Sequence, residues 1–228
     1  LLIGRGGVDT LTGGAGNDQI KGGDGADIID GGDGNDSVDG DGGADTIVGG
    51  LGDDILNGNA GDDVVNGNMG TDDIDGGAGD DFLMGGGGND TIDGNSGGDR
   101  IDAGHGNDLV YGGTGNDSID GNDGADTIFG GQGADTVTGG DGADLIYGDS
   151  AGTADSGADN LAGGNGNDTL IGGPAGDTLN GGSGNDIVVG DSRSTKLFGG
   201  AGDDLVIGGT GNDTLYGMGG SDRYSPVL

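Results

Sequence analysis

Residues 112–120 read Gly112-Gly113-Thr114-Gly115-Asn116-Asp117-Ser118-Ile119-Asp120. This is one copy of G-G-x-G-x-D-x-U-x, where U is a large aliphatic residue, and neighbours on both sides repeat it every nine residues. A fixed short period marks a stacked repeat architecture and outranks any local reading of the chain. With Asp at position six, the first copy runs from Gly4 to Thr12 with the loose head GRGGVD, and fifteen more follow without a gap through Tyr147. Six residues, Gly148 to Thr153, then interrupt the phase. It resumes at Ala154 with ADSGADNLA, and seven further copies begin at Gly163, Gly172, Gly181, Gly190, Gly199, Gly208 and Gly217.

Across these 24 copies position six is Asp in all but one, where Thr195 stands. Position eight is Leu, Ile or Val in all but the last, Tyr224. Low-complexity drift would not hold two positions while releasing positions three, five, seven and nine. The glycines allow positive φ and close backbone approach, so G-G-x-G-x-D reads as a turn. The x-U-x tail reads as a short strand with one side chain inward and two outward. Two copies make a coil of about 18 residues. Stacked coils give two short-strand parallel sheets with position eight between them, an all-β solenoid of about 12 coils, about 55 Å long at about 4.8 Å per coil.

That core is thin. Each buried aliphatic side chain contributes about 1.5–3 kcal/mol, while ordering nine residues costs about 1 kcal/mol or more per residue. Composition sharpens the deficit. The chain carries 67 glycines, 42 acidic and six basic residues, a formal charge of −36, and 3% aromatics. Every acidic residue is Asp, which a merely solubilising role would not require; a carboxylate held close to its own backbone would. Such a charge repels itself out of a compact state unless cations neutralise it. It also repels phosphate, which excludes nucleic acid as a partner. The absence of Cys excludes thiolate metal sites and disulfides. No apolar run reaches membrane-spanning length, so membrane insertion is not expected, and no signal peptide is seen. The opening Leu1-Leu2-Ile3, without Met and already near the repeat phase, reads as a fragment of a longer protein.

GGAGNDQIK at Gly13, GGDGNDSVD at Gly31 and GGTGNDTLY at Gly208 resemble the RTX (hemolysin-type) calcium-binding nonapeptides, and the resemblance covers essentially the whole chain. It implies an all-β right-handed parallel β-roll, with calcium between turns stacked two copies apart, held by main-chain carbonyls and by the Asp of each turn. One such site would use carbonyls of Gly14 and Gly16 with Asp18, then carbonyls of Gly31 and Asp33 with Asp36. The implied carboxylate ligands are Asp9, Asp18, Asp27, Asp36, Asp45, Asp54, Asp63, Asp72, Asp81, Asp90, Asp99 and Asp108 in the first half. In the second they are Asp117, Asp126, Asp135, Asp144, Asp159, Asp168, Asp177, Asp186, Asp204, Asp213 and Asp222. The implied carbonyls at positions two and four include Gly14, Gly16, Gly23, Gly25, Gly32, Gly34, Gly86, Gly88, Gly113 and Gly115. Further along the chain they are Gly131, Gly133, Gly140, Gly142, Gly164, Gly166, Gly182, Gly184, Gly200 and Gly202. Hard oxygen shells of this kind suit calcium. Up to about 20 ions would bring about +40 against the formal −36.

Turns alternate between two edges. The interruption at 148–153, the irregular turn Gly172-Gly173-Pro174-Ala175 and the degenerate turn Gly190–Thr195 all fall on the first edge. Ala175 stands where Gly is expected if φ is positive. Thr195 supplies no carboxylate; either Arg193 replaces a calcium there by pairing with Asp177 or Asp213, or the turn has drifted in a redundant array and its basic side chains are merely solvated. The organisation expected is one continuous solenoid: a regular roll over 1–147, an inserted loop at 148–153, and a continuation over 154–225. The last copy ends in Tyr224 and Pro226; Tyr224 looks like a cap, and Pro226 cannot continue a ladder.

Catalytic strings are poorly supported. Gly94-Asn95-Ser96-Gly97-Gly98 fits G-x-S-x-G, but an elbow needs a strand, a sharp turn and a helix. The Gly148-Asp149-Ser150 and Gly190-Asp191-Ser192 strings meet the same objection. His105 lacks zinc spacing, EF-hand-like segments such as Asp30–Asp36 lack the bidentate Glu and the helices, and no glycine-rich segment opens a helix onto phosphate. A ladder of outward Thr for ice is missing, since position three has Thr only at Thr114 and Thr210. No enzyme activity is expected from this segment.

The resemblance implies a calcium-binding module of a secreted or cell-surface bacterial protein, exported by type I secretion machinery and folded by calcium outside. Its role would be a spacer, an adhesin segment or a surface-layer component, with a possible cell-surface or self-assembly partner. The alternative is the repeat domain of a secreted RTX enzyme or toxin whose catalytic part lies elsewhere.

Overall fold

Position eight sets the register. In the computed structural model, which describes residues 1–149, 157–191 and 193–225, Leu11 pairs with Ile29, Ile29 with Ile47, Ile47 with Val65, Val65 with Leu83 and Leu83 with Ile101. Every one of these pairings is parallel and joins a residue to its equivalent two copies later. Ile20, Val38, Leu56, Ile74 and Ile92 form a second column by the same rule. From Ile29 to Ile101 the side chains of both columns are at most 1% exposed. Each column stacks on itself because a one-residue slip would turn its aliphatic side chains out to solvent.

Those columns belong to a first unit, Leu1–Gly113. Its strands recur every nine residues, from Leu2–Gly6, Thr10–Ala15 and Gln19–Asp24 to Arg100–His105, and alternate between two parallel sheets. A second unit spans Thr114–Leu228. Here Ile119, Val137, Leu161, Leu179, Leu197 and Leu215 form one column. Ile128, Ile146, Leu170, Val188, Val206 and Tyr224 form the other. The expected all-β parallel solenoid with two nonapeptides per coil is therefore present, and no helix occurs among the described residues.

The strands are longer than x-U-x. Thr10–Ala15 covers positions seven to nine and continues through positions one to three of the next copy, so Gly14 pairs with Gly32 within the ladder. The turn shrinks to positions four to six. Four strands keep only three residues: Thr169–Ile171, Ile187–Val189, Leu205–Ile207 and Arg223–Ser225. The first three run into the first-edge turns at Gly172, Gly190 and Gly208. The opposite sheet keeps six residues at Asn160–Asn165, Thr178–Ser183 and Lys196–Ala201.

The turn after Ile171 departs from the regular one. Ala175 is buried and has no positive φ; the left-handed residue of its turn is Gly173, at φ 103°. Pro174 lacks an N–H for the ladder, the strand stops at Ile171, and the chain takes another route in which Ala175 fits. The interruption assigned to 148–153 lies mostly outside the described residues, as do Ala154, Ser192 and Pro226. Its two described members, Gly148 and Asp149, close the strand Leu145–Asp149, in which Asp149 pairs with Gly131, a position-two residue. At the far end Tyr224 pairs with Val206 and stays 54% exposed over that fully buried neighbour.

Candidate metal centre

The short Asp side chain reaches only its own turn and the turn below. In the first unit the backbone N–H groups of Asp9, Asp27, Asp45 and Asp63 donate to Oδ1 of the equivalent Asp one coil ahead, at 2.7–2.8 Å. Asp18, Asp36, Asp54 and Asp72 do the same on the other edge, at 2.7–2.9 Å. In the second unit the pattern runs Asp135 to Asp159 to Asp177, and Asp144 to Asp168 to Asp186 to Asp204. Asp117, Asp126 and Asp222 join these columns as well. One oxygen of each carboxylate is thus spent on a main-chain donor.

Oδ2 of Asp27, Asp36, Asp45, Asp54, Asp63, Asp72, Asp81 and Asp90 is buried with no hydrogen-bond partner, as is Oδ2 of Asp135, Asp144, Asp159, Asp168, Asp177, Asp186 and Asp204. These residues are at most 2% exposed. A buried carboxylate without a partner costs several kcal/mol, and a fold does not carry a row of them without counter-charge.

Their surroundings are shaped for a cation. A methyl group built on Gly13 would sit 2.5 Å from the Gly31 carbonyl oxygen and 2.9 Å from Asp18 Oδ2. On Gly31 it would sit 2.5 Å from Asp36 Oδ2 and 2.6 Å from the Gly49 carbonyl. Position one therefore lies against a carboxylate oxygen and a carbonyl of the next coil; Ala103, fully buried, is the exception. Across the same gap the Gly14 and Gly16 carbonyls face the α-carbons of Gly32 and Gly34, while the Asp33 carbonyl accepts from Gly16 N–H at 2.6 Å. In the gap between these turns the Gly31 carbonyl and Asp18 Oδ2 thus both lie against Gly13, while the Asp33 carbonyl accepts from Gly16 N–H and Asp36 Oδ1 from Asp18 N–H. Among the described residues no three His, Cys, Asp or Glu side chains form a metal cluster; the shell that the family resemblance implies would take most of its oxygens from main-chain carbonyls. The expected position-two and position-four glycines are left-handed throughout, from Gly14 at φ 102° to Gly202 at φ 140°.

Burial raises a subset of these carboxyls. Asp45, Asp54, Asp63, Asp81, Asp90, Asp168 and Asp186 are pushed up to about 6, each chiefly by desolvation and further by like charges in its column. Asp72, Asp108, Asp135 and Asp144 move the same way for the same first cause. The highest are Asp149, at about 7, and Asp159, at about 8.

Thr195 takes the Asp place without the charge. It is 1% exposed, and both its N–H and its hydroxyl donate to Asp213 Oδ1, at 3.1 and 3.0 Å. Arg193 forms no ion pair with Asp177 or Asp213; its charge favours ionised Asp177 only at longer range, and Asp213 is engaged by Thr195 instead. Ser96 ends a strand and donates its hydroxyl to the Gly77 carbonyl at 3.2 Å, so its string forms no elbow.

One ladder is not anticipated by the repeat pattern. Position five, often Asn or Asp, links coils on the surface: Asn17 Oδ1 accepts from Asn35 N–H, Asn35 Oδ1 from Asp53 N–H and Asp53 Oδ1 from Thr71 N–H. The frequent G-N-D triplet is its signal in the sequence.

A family model described as RTX calcium-binding nonapeptide repeat (4 copies) matches residues 3–38, 39–74, 66–101, 84–119, 120–151, 153–188 and 189–224. No curated protein matches the chain. Among solved structures it is similar to a hyperactive, Ca2+-dependent, beta-helical antifreeze protein from an Antarctic bacterium, at 20% identity and a TM-score of 0.44 over 99% of this chain and 73% of that one. Nearly every copy of the nonapeptide lies inside a family match, and the chain belongs to the RTX calcium-binding nonapeptide repeat family.

Proposed function

We propose that this chain is the calcium-folded module of a secreted or cell-surface bacterial protein, serving as a spacer, adhesin segment or surface-layer component. The buried, unpartnered Oδ2 repeated along both edges carries this reading. Calcium in the gaps between stacked turns gives each of these oxygens a positive partner and offsets the formal charge of −36. Without calcium the columns of carboxylate repel one another and the thin aliphatic core does not hold the coils. A chain that is unfolded at low calcium and folded at high calcium suits passage through type I secretion machinery, with folding outside.

The stoichiometry tests the metal part. After dialysis against millimolar calcium and removal of free ion, the chain is expected to retain about 20 ions. Retention of fewer than about five would show that the orphan oxygens are not ligands. Export is tested by secretion of the chain, joined to a type I signal, into calcium-rich medium; equal export into calcium-depleted medium would remove the folding step from the account.

A further inference from the structure

We propose that the outer face of one sheet in the second unit carries a binding groove for an uncharged linear glycan. The proposal rests on the surface-module reading and deepens it, by naming the class of partner such a module would hold. The groove runs across the strands Ser118–Asp123, Thr136–Asp141, Asn160–Asn165, Thr178–Ser183, Lys196–Ala201 and Thr214–Gly219. Its floor is the position-two column, in which Gly140, Gly164, Gly182 and Gly200 pair in turn. No side chain covers the backbone there. Asn122 and Met218 stand at the two ends of the column. Both are left-handed, at φ 68° and 75°, where the other members are glycine. The five pairings from Asn122 to Met218 span about 24 Å. Two open cavities of about 730 and 580 Å³ fill this stretch and share Asn180 and Gly182.

The walls supply the chemistry. Asp120, Asn180 and Phe198 stand at position nine on one side of the floor, and Asp123, Asp141 and Asn165 at position three on the other. Asn165 Nδ2 donates to Asp141 Oδ1 at 2.7 Å, which ties this wall together from coil to coil. At the far end Phe198 stacks on Tyr216, with ring centroids 5.1 Å apart. Carboxylates and amides in a row accept from and donate to hydroxyl groups, and aromatic rings offer apolar surface to the C–H groups of a sugar. Among the described residues no Lys or Arg lines either cavity. Three carboxylates without a base disfavour a phosphate, sulfate or uronate.

Spacing separates a glycan from a peptide. The walls repeat once per coil, about every 4.8 Å. An extended peptide returns to the same face every two residues, about 6.6 Å, and falls out of step with them. Nor can it add a strand, because the floor glycines already lie inside the ladder and the groove crosses the strands. A linear chain of pyranose rings advances by nearly one coil per ring, so each ring meets an equivalent pair of wall positions. The groove has room for about five rings.

Calorimetry of the calcium-loaded 228-residue chain with cellohexaose, mannohexaose and chitohexaose tests the proposal. At least one of them is expected to bind with a Kd below about 1 mM. Asn180→Ala should weaken that binding at least about tenfold. Ala162→Phe should abolish it, since it fills the middle of the groove with a side chain that position nine accepts at Phe198. Asp30→Ala, at position nine in the first unit, should leave it unchanged. Circular dichroism in calcium checks that each variant folds. A folded chain that binds none of the three would overturn the proposal, as would binding indifferent to both Asn180→Ala and Ala162→Phe. Tighter binding of hexa-arginine than of any hexasaccharide would also overturn it and make the groove a basic-peptide site. A chain that binds a hexasaccharide through these residues but has the same β signal in EDTA as in calcium would overturn the calcium reading alone.

Discussion

The backbone N–H of Asp27 donates to Asp45 Oδ1 at 2.7 Å, while Asp45 Oδ2, in the same buried carboxylate, faces no donor. The two oxygens divide the labour of the repeat. Oδ1 fixes the stacking of coil on coil, and Oδ2 carries a charge that the stacking alone leaves uncompensated. Every coil therefore adds both a hydrogen bond and a liability.

Protons should partly substitute for calcium. In the unfolded chain the Asp45 carboxyl has its ordinary value of 3.8, and burial in the coil lifts it to about 6. The folded state then binds protons that the unfolded state releases, so this contribution to stability is fully present below about 3.8 and is lost as pH rises through about 6. Asp149 and Asp159 extend the window to about 8. Circular dichroism of the calcium-free chain is expected to gain β signal between pH 8 and 4. The calcium midpoint should shift to higher concentration over the same range, as protons compete for the carboxylates.

Gly31→Ala should be costly despite its small size. The added methyl falls 2.5 Å from Asp36 Oδ2 and 2.6 Å from the Gly49 carbonyl. Overpacking of this kind costs about 1–3 kcal/mol, and here it also intrudes on two expected ligands. Thermal unfolding in saturating calcium is expected to fall by several degrees, with a weakened calcium midpoint. The converse change, Ala103→Gly, should cost only about 0.5–1 kcal/mol, the entropy of a freer backbone at a fully buried position without positive φ.

Thr195→Asp should restore a calcium turn. Thr195 is fully enclosed, and a methyl built on Gly190 would lie 2.5 Å from its Oγ1. An Asp at this position regains the missing carboxylate between Asp177 and Asp213. Calcium-binding stoichiometry should rise by about one or two ions per chain, while calcium-free stability falls because another buried charge has been added.

Much of the fold is legible because two constraints act on single positions. An aliphatic residue every nine positions, read with two copies per coil, gives the Ile29–Ile47–Val65 column and its partner directly. The stacked Asp columns follow from the same period. Less legible is where a strand ends. Glycine at positions one and two reads as turn by propensity, yet Gly14 and Gly32 sit in the ladder because neighbouring coils hold them in register. At the interruption the letter pattern does not signal that Asp149 pairs with Gly131, a position-two residue. Charge alone suggests a partner for Arg193, but Thr195 occupies Asp213 through its hydroxyl. The burial of Asp149 has no sequence signal, since Asp41 also stands at position two and points outward to Lys21.

The most direct measurement is circular dichroism of the chain in EDTA and then in millimolar calcium, at neutral pH. The account predicts a disordered spectrum in EDTA and a cooperative, reversible gain of β signal on calcium addition. Equal strand content in both conditions would contradict it, because the buried carboxylates would then be tolerated without a metal.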